Sequence, residues 1–324
     1  MAASLIGRQL PVPDVPSLTP KLQYLSEHRD NFDTLFIGSS RIYHQVLPSV
    51  FDEKMQALGV ATKSFNLGIA GMRPPEDSYV FDQVRKMKPR NLRWVFIEAG
   101  GLRFPIDRDK KGTVRAVYWH DFERTLLLLR FAPSHQSDWN IDKLLDTSRI
   151  VGDHLALFAR QFSNIGRAGV ITSRLVTNKK QKIHLRALGE KLDGFRATGQ
   201  PEEIREVERI QLEKELAALR VEPSEIRYDK KISQVAVDRL FRRIRAMGAE
   251  PVLVIPPTTS GSRFYPAPWI QPQPLVLDYS DIDQYPELFE PRHRLDHAHL
   301  NLAGGKVFTE YLARDFAAAL RARQ

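Results

Sequence analysis

The chain has 324 residues, a formal net charge of +9 and no cysteine, which excludes disulfides, zinc–thiolate sites and thiol catalysis. A hydrophobic content of 42% is ample for a buried core, in one large domain or a domain carrying a sizeable insertion. Most of the basic excess falls between 102 and 235, interleaved with acids as in Glu202-Glu203-Ile204-Arg205-Glu206, which reads as solvated helix faces, so no specific nucleic-acid partner is expected.

Residues 1–20 show no charged-then-apolar leader pattern and no run long enough to span a bilayer. The expectation is a protein soluble as written, cytoplasmic unless a signal or anchor lies upstream. A short helix over 22–29 leads into an apolar strand, Thr34-Leu35-Phe36-Ile37, which stops at Gly38-Ser39-Ser40-Arg41. Helical spacing of Val46, Phe51 and Met55 predicts a helix over 43–58, followed by a second strand over 62–67 that runs into Asn66-Leu67-Gly68-Ile69-Ala70-Gly71. A helix over 78–87 and a third strand over 92–97 come next, the strand ending at Glu98-Ala99-Gly100-Gly101. Strand, helix, strand, helix, strand at this spacing predicts right-handed crossovers and a parallel sheet.

The alternation then stops, and 118–219 reads as helical, with apolar stretches such as 125–129 and a stripe at Ile150, Leu155, Leu157 and Phe158. A helix over 233–247 ends at Gly248, a C-cap residue, and leads into a fourth strand over 251–255 that Pro256-Pro257 terminates. A last strand is expected at 275–277, and a final helix from about 305 sets Phe308, Tyr311, Leu312, Phe316 and Leu320 on one face. The simplest organisation is a Rossmann-like α/β core in two parts, 1–104 and 236–324, with a helical insertion over 105–235. The insertion leaves the sheet at Gly100-Gly101, so a lid or wall over Ser40 is the favoured role, scaffold the plainer one.

In such a sheet, ligands bind at the carboxyl ends of the strands. Ser40, Gly68 and Gly100 each follow a predicted strand, and Asp296-His297-Ala298-His299 follows the last. A serine hydroxyl with a carboxylate and an imidazole three residues apart is the set that nucleophile activation requires. Gly-Ser-Ser after a strand is commonly just a helix N-cap; the distant Asp-x-x-His is what favours the chemical reading.

These blocks resemble the SGNH (GDSL-like) hydrolase superfamily. Gly38-Ser39-Ser40 stands where that family has its Gly-Asp-Ser block, the segment 66–71 is similar to its second block, and Asp296-x-x-His299 to its closing block. The resemblance covers roughly 22–101 and 250–320, and not the insertion. It implies a three-layer α/β/α sandwich with a parallel, flavodoxin-like sheet, here with a large helical insertion, and ester hydrolysis or acyl transfer without metal or other cofactor. By analogy Ser40 is the nucleophile, His299 the general base and Asp296 its orienting partner. The amides of Ser40 and Gly68 would form the oxyanion hole. The family's third block supplies an Asn to that hole, whereas this chain has Glu98-Ala99-Gly100-Gly101, so Gly100, Gly101 or Asn66 is the expected substitute. Arg41 and Glu98 are candidate substrate-binding residues, or partners of one another; Glu98 has Arg103 as a second candidate.

The implied substrate is a small-molecule or glycan ester, with a membrane acyltransferase as an accompanying partner. One rival is an SGNH-fold binding module without turnover, which the departure in the third block favours. A metal-dependent hydrolase is the other, since His297-x-His299 beside Asp296 has the donors for zinc, but only Glu98 is at hand as a further ligand. His297 otherwise reads as an exposed loop residue, and Trp119-His120-Asp121 as packing at the insertion's base.

Overall fold

The computed structural model describes residues 15–107, 110–134, 140–163, 185–198, 204–221, 226–227, 231–259 and 263–323. Five strands, β1 (Thr34–Ile37), β2 (Ser64–Asn66), β3 (Trp94–Glu98), β5 (Glu250–Ile255) and β7 (Leu275–Asp278), form one parallel sheet in the order β2-β1-β3-β5-β7. The central strands β1, β3 and β5 carry apolar residues on both faces, as a sheet covered by helices on both sides demands.

Side chains of one face, Leu35, Ile37, Val95, Ile97 and Leu253, pack on α1 (Thr19–Glu27), α4 (Glu76–Met87) and α9 (Lys231–Arg245). Those of the other, Phe36, Trp94, Phe96, Val252 and Val254, meet α3 (Pro48–Ala57) and α10 (Leu302–Ala322). Phe96 lies at the centre of that second layer, its ring 4.8 Å from Phe36, 5.5 Å from Phe51 and 4.9 Å from Phe316. The result is a three-layer α/β/α sandwich.

Two local departures from the sequence expectation have simple causes. The helix expected over 43–58 is two helices, α2 (Ser40–Tyr43) and α3, because Pro48 cannot continue a helix but is well placed in a first turn. The final helix begins at Leu302 rather than about 305, because Asn301 caps it by accepting the Gly304 N–H at 2.9 Å. Gly248 has φ +81°, as its C-cap role requires.

Between β3 and β5 stand α5 (Val114–Tyr118), α6 (Phe122–Phe131), α7 (Ile141–Ser163) and α8 (Glu206–Val221). Leu102, Phe104, Leu127, Phe131 and Ile150 give this region a small core of its own. Of the predicted stripe, Ile150 and Leu157 are buried and Leu155 is exposed. A short parallel ladder of β4 (Ile226–Arg227) with β6 (Arg263–Phe264), not anticipated from sequence, ties the insertion to the segment after β5. The loop at 185–198 covers the free edge of β2, where the Asn66 N–H donates to Asp193 O at 2.8 Å. Edge strands need such cover. Among the described residues, no helix is long and apolar enough to cross a membrane.

Candidate functional site

Strand order reverses between β1 and β3, so the loops leaving these two strands splay apart into a crevice. That crevice is a cleft of about 690 Å³ whose wall includes Ser39, Ser40, Arg41, Glu98, Gly100 and His299. Ser40 and His299, 259 residues apart, meet there: Ser40 Oγ lies 2.8 Å from His299 Nε2. On the far side of the ring, Nδ1 is 3.0 Å from each carboxylate oxygen of Asp296. An ionised carboxylate only accepts, so Nδ1 carries the ring proton and Nε2 presents its lone pair to the serine hydroxyl.

Local backbone fixes the acid to the imidazole. Asp296 Oδ1 also accepts the Ala298 and His299 N–H groups at 2.7 Å each, which closes a tight turn. Burial works to raise the Asp296 pKa, but the bonds from His299 and these amides outweigh it and hold the carboxyl below its usual range. An antiparallel bridge between Arg294 and Leu300 clamps the base of the turn. The Arg294 guanidinium is fully buried over the Phe289 ring, its three nitrogens without hydrogen-bond partners among the described residues. Burial lowers its pKa to about 10, still cationic at neutral pH, with Asp296 the first charge opposing that shift.

The serine side is set by Glu98. Its Oε2 accepts the Ser39 N–H at 2.5 Å, and its Oε1 accepts Ser39 Oγ–H at 2.9 Å and Arg41 Nε–H at 3.0 Å. Arg41 Nη2 adds a contact of 2.8 Å. Glu98 therefore braces the residues on either side of Ser40, and Arg41 is its ion-pair partner; Arg103 pairs with Asp107 instead. Ser39 is the N-cap, accepting the Arg41 N–H at 3.2 Å. That leaves Ser40 at the first helical position, where a backbone N–H has no intrahelical acceptor.

Two expected oxyanion donors are committed elsewhere. The Gly68 N–H donates to Asn66 Oδ1 at 2.8 Å, and Asn66 Nδ2 donates to the carbonyls of Ile42 and Val46, both at 2.8 Å. Asn66 is fully buried, and neither residue is on the cleft wall. Their work is to fasten the β2 exit to α2: a Cβ on Gly68 would lie 2.6 Å from Tyr43 N. Gly100 and Gly101 do line the cleft, as do Gly71, Arg73, Pro74 and Asp77.

His297 and His299 face different partners, His297 Nδ1 lying 2.7 Å from Glu208 Oε2 on α8. Among the described residues, no group of three or more His, Cys, Asp and Glu is placed to hold a metal ion. Thr259, just beyond β5, donates to Glu215, so α8 reaches the site's surroundings at two points. No described residue of 105–235 lines the cleft itself. Of the Trp119-His120-Asp121 group, Asp121 caps α6 by accepting the Arg124 N–H. His120 is buried 3.0 Å from His154 Nδ1, and Trp119 lines a recess next to the cleft.

Sequence reasoning missed Arg73, Asp77, Glu208 and Arg294. A charged residue between Gly71 and Pro74-Pro75 at a strand exit was a usable signal for Arg73; Glu208, in the first turn of an ordinary amphipathic helix, offered none. No family model matches the chain, and no curated protein matches it significantly.

Proposed function

We propose that this chain is a serine-dependent ester hydrolase or O-acyltransferase of the SGNH type, acting on an acylated glycan or another O-acyl ester. The observation that carries the reading is the unbroken hydrogen-bonded chain from Ser40 Oγ through His299 to Asp296. As Ser40 Oγ attacks the acyl carbonyl, His299 Nε2 takes the hydroxyl proton and Asp296 stabilises the imidazolium. The same proton then passes to the departing alkoxide as the ester C–O bond breaks, leaving acyl-Ser40. Water or a second hydroxyl, deprotonated by His299, attacks the acyl-serine and frees the enzyme, so hydrolysis and transfer differ only in the acceptor.

The first oxyanion donor in this scheme is the Ser40 N–H, and the second comes from the Gly100–Gly101 backbone. Glu98 keeps Ser39 and Arg41 in place and takes no part in proton transfer. A second reading, an SGNH-type binding module working with a membrane acyltransferase, draws support from the commitment of Gly68 and Asn66 to structural hydrogen bonds.

Turnover of p-nitrophenyl acetate, with and without added glycerol as acceptor, tests the proposal. Ser40→Ala and His299→Ala are each expected to lose at least ~10³-fold in kcat, with Asp296→Asn close behind. Acetyl glycerol formed at the expense of acetate identifies a transferase. Wild-type turnover no faster than that of Ser40→Ala would leave the binding-module reading.

A further inference from the structure

Serine chemistry leaves one basic part of the cleft without a role. Arg73 stands where the cleft meets a smaller recess of about 70 Å³, and Gly71, Arg73 and Pro74 line both. Each neighbouring base has an acid. Arg41 is held by Glu98, Arg115 makes two bonds of 2.7 Å to Glu76, and Asp107 is shared between Arg103 at 2.9 Å and Lys110 at 2.6 Å. Arg73 is exposed and, among the described residues, has no ion pair.

The local charge balance favours an anion. The bases Arg41, Arg73, Arg103, Lys110 and Arg115 outnumber the acids Glu98, Asp107, Glu76 and Asp77 by one. Arg73 and Arg103 line the same recess; partial burial of Arg73, and then the like charge of Arg103, lower the Arg73 pKa, with Asp107 opposing that shift. Arg103 already has Asp107, so Arg73 is the guanidinium left to take a further anion, and a planar guanidinium binds carboxylate or phosphate through paired N–H donors. The recess also exposes part of Trp119, whose indole, stacked on His120 at a centroid distance of 3.8 Å, offers a rigid apolar platform. The unpaired cation and the aromatic platform together match a charged sugar better than a lipid acyl chain.

We propose that the substrate or acyl acceptor is an anionic glycan, its carboxylate or phosphate held by Arg73 beside Arg103 and a sugar ring resting near Trp119. This extends the serine-ester reading of the same cleft, but it can be tested without turnover.

Full-length Ser40→Ala protein is titrated by calorimetry with trigalacturonate, with its neutral counterpart, a galactose trimer, and with galactose 6-phosphate against galactose. At least one anionic probe is expected to bind ≥ tenfold more tightly than its neutral counterpart, the stronger arm identifying carboxylate or phosphate as the group recognised. The preference is expected to vanish in Ser40→Ala/Arg73→Gln, to persist in part in Ser40→Ala/Arg73→Lys and to shrink in 1 M salt. Equal binding of anionic and neutral probes, or a preference that survives Arg73→Gln, overturns the proposal. Absence of wild-type ester turnover, by contrast, bears on the serine reading alone.

Discussion

Glu98→Gln is the sharpest perturbation of the geometry around Ser40, because it changes charge and one donor while conserving shape. The wild-type carboxylate accepts from Ser39 N–H, Ser39 Oγ–H and two nitrogens of Arg41, and its side chain is only 8% exposed. A glutamine keeps one acceptor oxygen. With that oxygen toward Arg41, its amide meets the Ser39 N–H, donor against donor; flipped, it meets the guanidinium. Either choice loses charge-assisted bonds and leaves a buried donor unpaired, a cost of about 2–4 kcal/mol. The Ser39–Arg41 turn relaxes as a result. A displacement of Ser40 by about 1 Å from His299 would slow its reaction roughly 100-fold. Chemical denaturation reads the first quantity and the rate of inactivation by a small fluorophosphonate reads the second. A variant within ~0.5 kcal/mol of wild type that is inactivated at the wild-type rate would refute the bracing role of Glu98.

Burial pushes Asp77 from the ordinary 3.8 up to about 6, so the folded state binds this proton more tightly than the unfolded chain. The penalty for ionising it is absent below pH ~4, develops up to pH ~6 and is complete above, and Asp77→Asn, which can still accept the Ser78 N–H, removes it. A gain of about 3 kcal/mol above pH 6 that disappears near pH 4 is expected from denaturation at several pH values; a gain independent of pH contradicts the account. The His297 pKa is raised first by its bond to Glu208, so this clasp of α8 onto the 296–299 turn is strongest below pH ~6.5 and weakens as pH rises through the raised value. In Glu208→Gln the His297 titration followed by NMR should move down toward the free-imidazole value, and an unmoved titration would place its cause elsewhere.

The parts of the molecule legible in the sequence are those fixed by local pattern. Thr34–Ile37 and 251–255 are continuous apolar runs with sharp stops, so both read as buried parallel strands, and the parallel order carries Ser40 and the 296–299 turn to the same sheet edge. Asp296 and His299 read as a unit because three residues of loop determine their relation. What escaped was set by contacts distant in sequence. Asn66 and Gly68 stand at the end of a strand as expected, yet the direction of the Gly68 amide is decided by Asn66, which the carbonyls of Ile42 and Val46 hold. Glu98 announced itself as a charge at a strand end, but its choice of Arg41 over Arg103 depends on how α2 leaves β1. Two-residue strands such as Ile226–Arg227 and Arg263–Phe264 carry no periodicity to read.

The central claim is that His299, oriented by Asp296, makes Ser40 a nucleophile. Its most direct test is the site of covalent modification when the intact protein is treated with a fluorophosphonate and the adduct is mapped by peptide mass spectrometry. The account predicts one adduct, on Ser40, that is absent in Ser40→Ala, almost absent in His299→Ala and still formed in Ser39→Ala. An adduct on Ser39, or none on a folded wild-type protein, would contradict it.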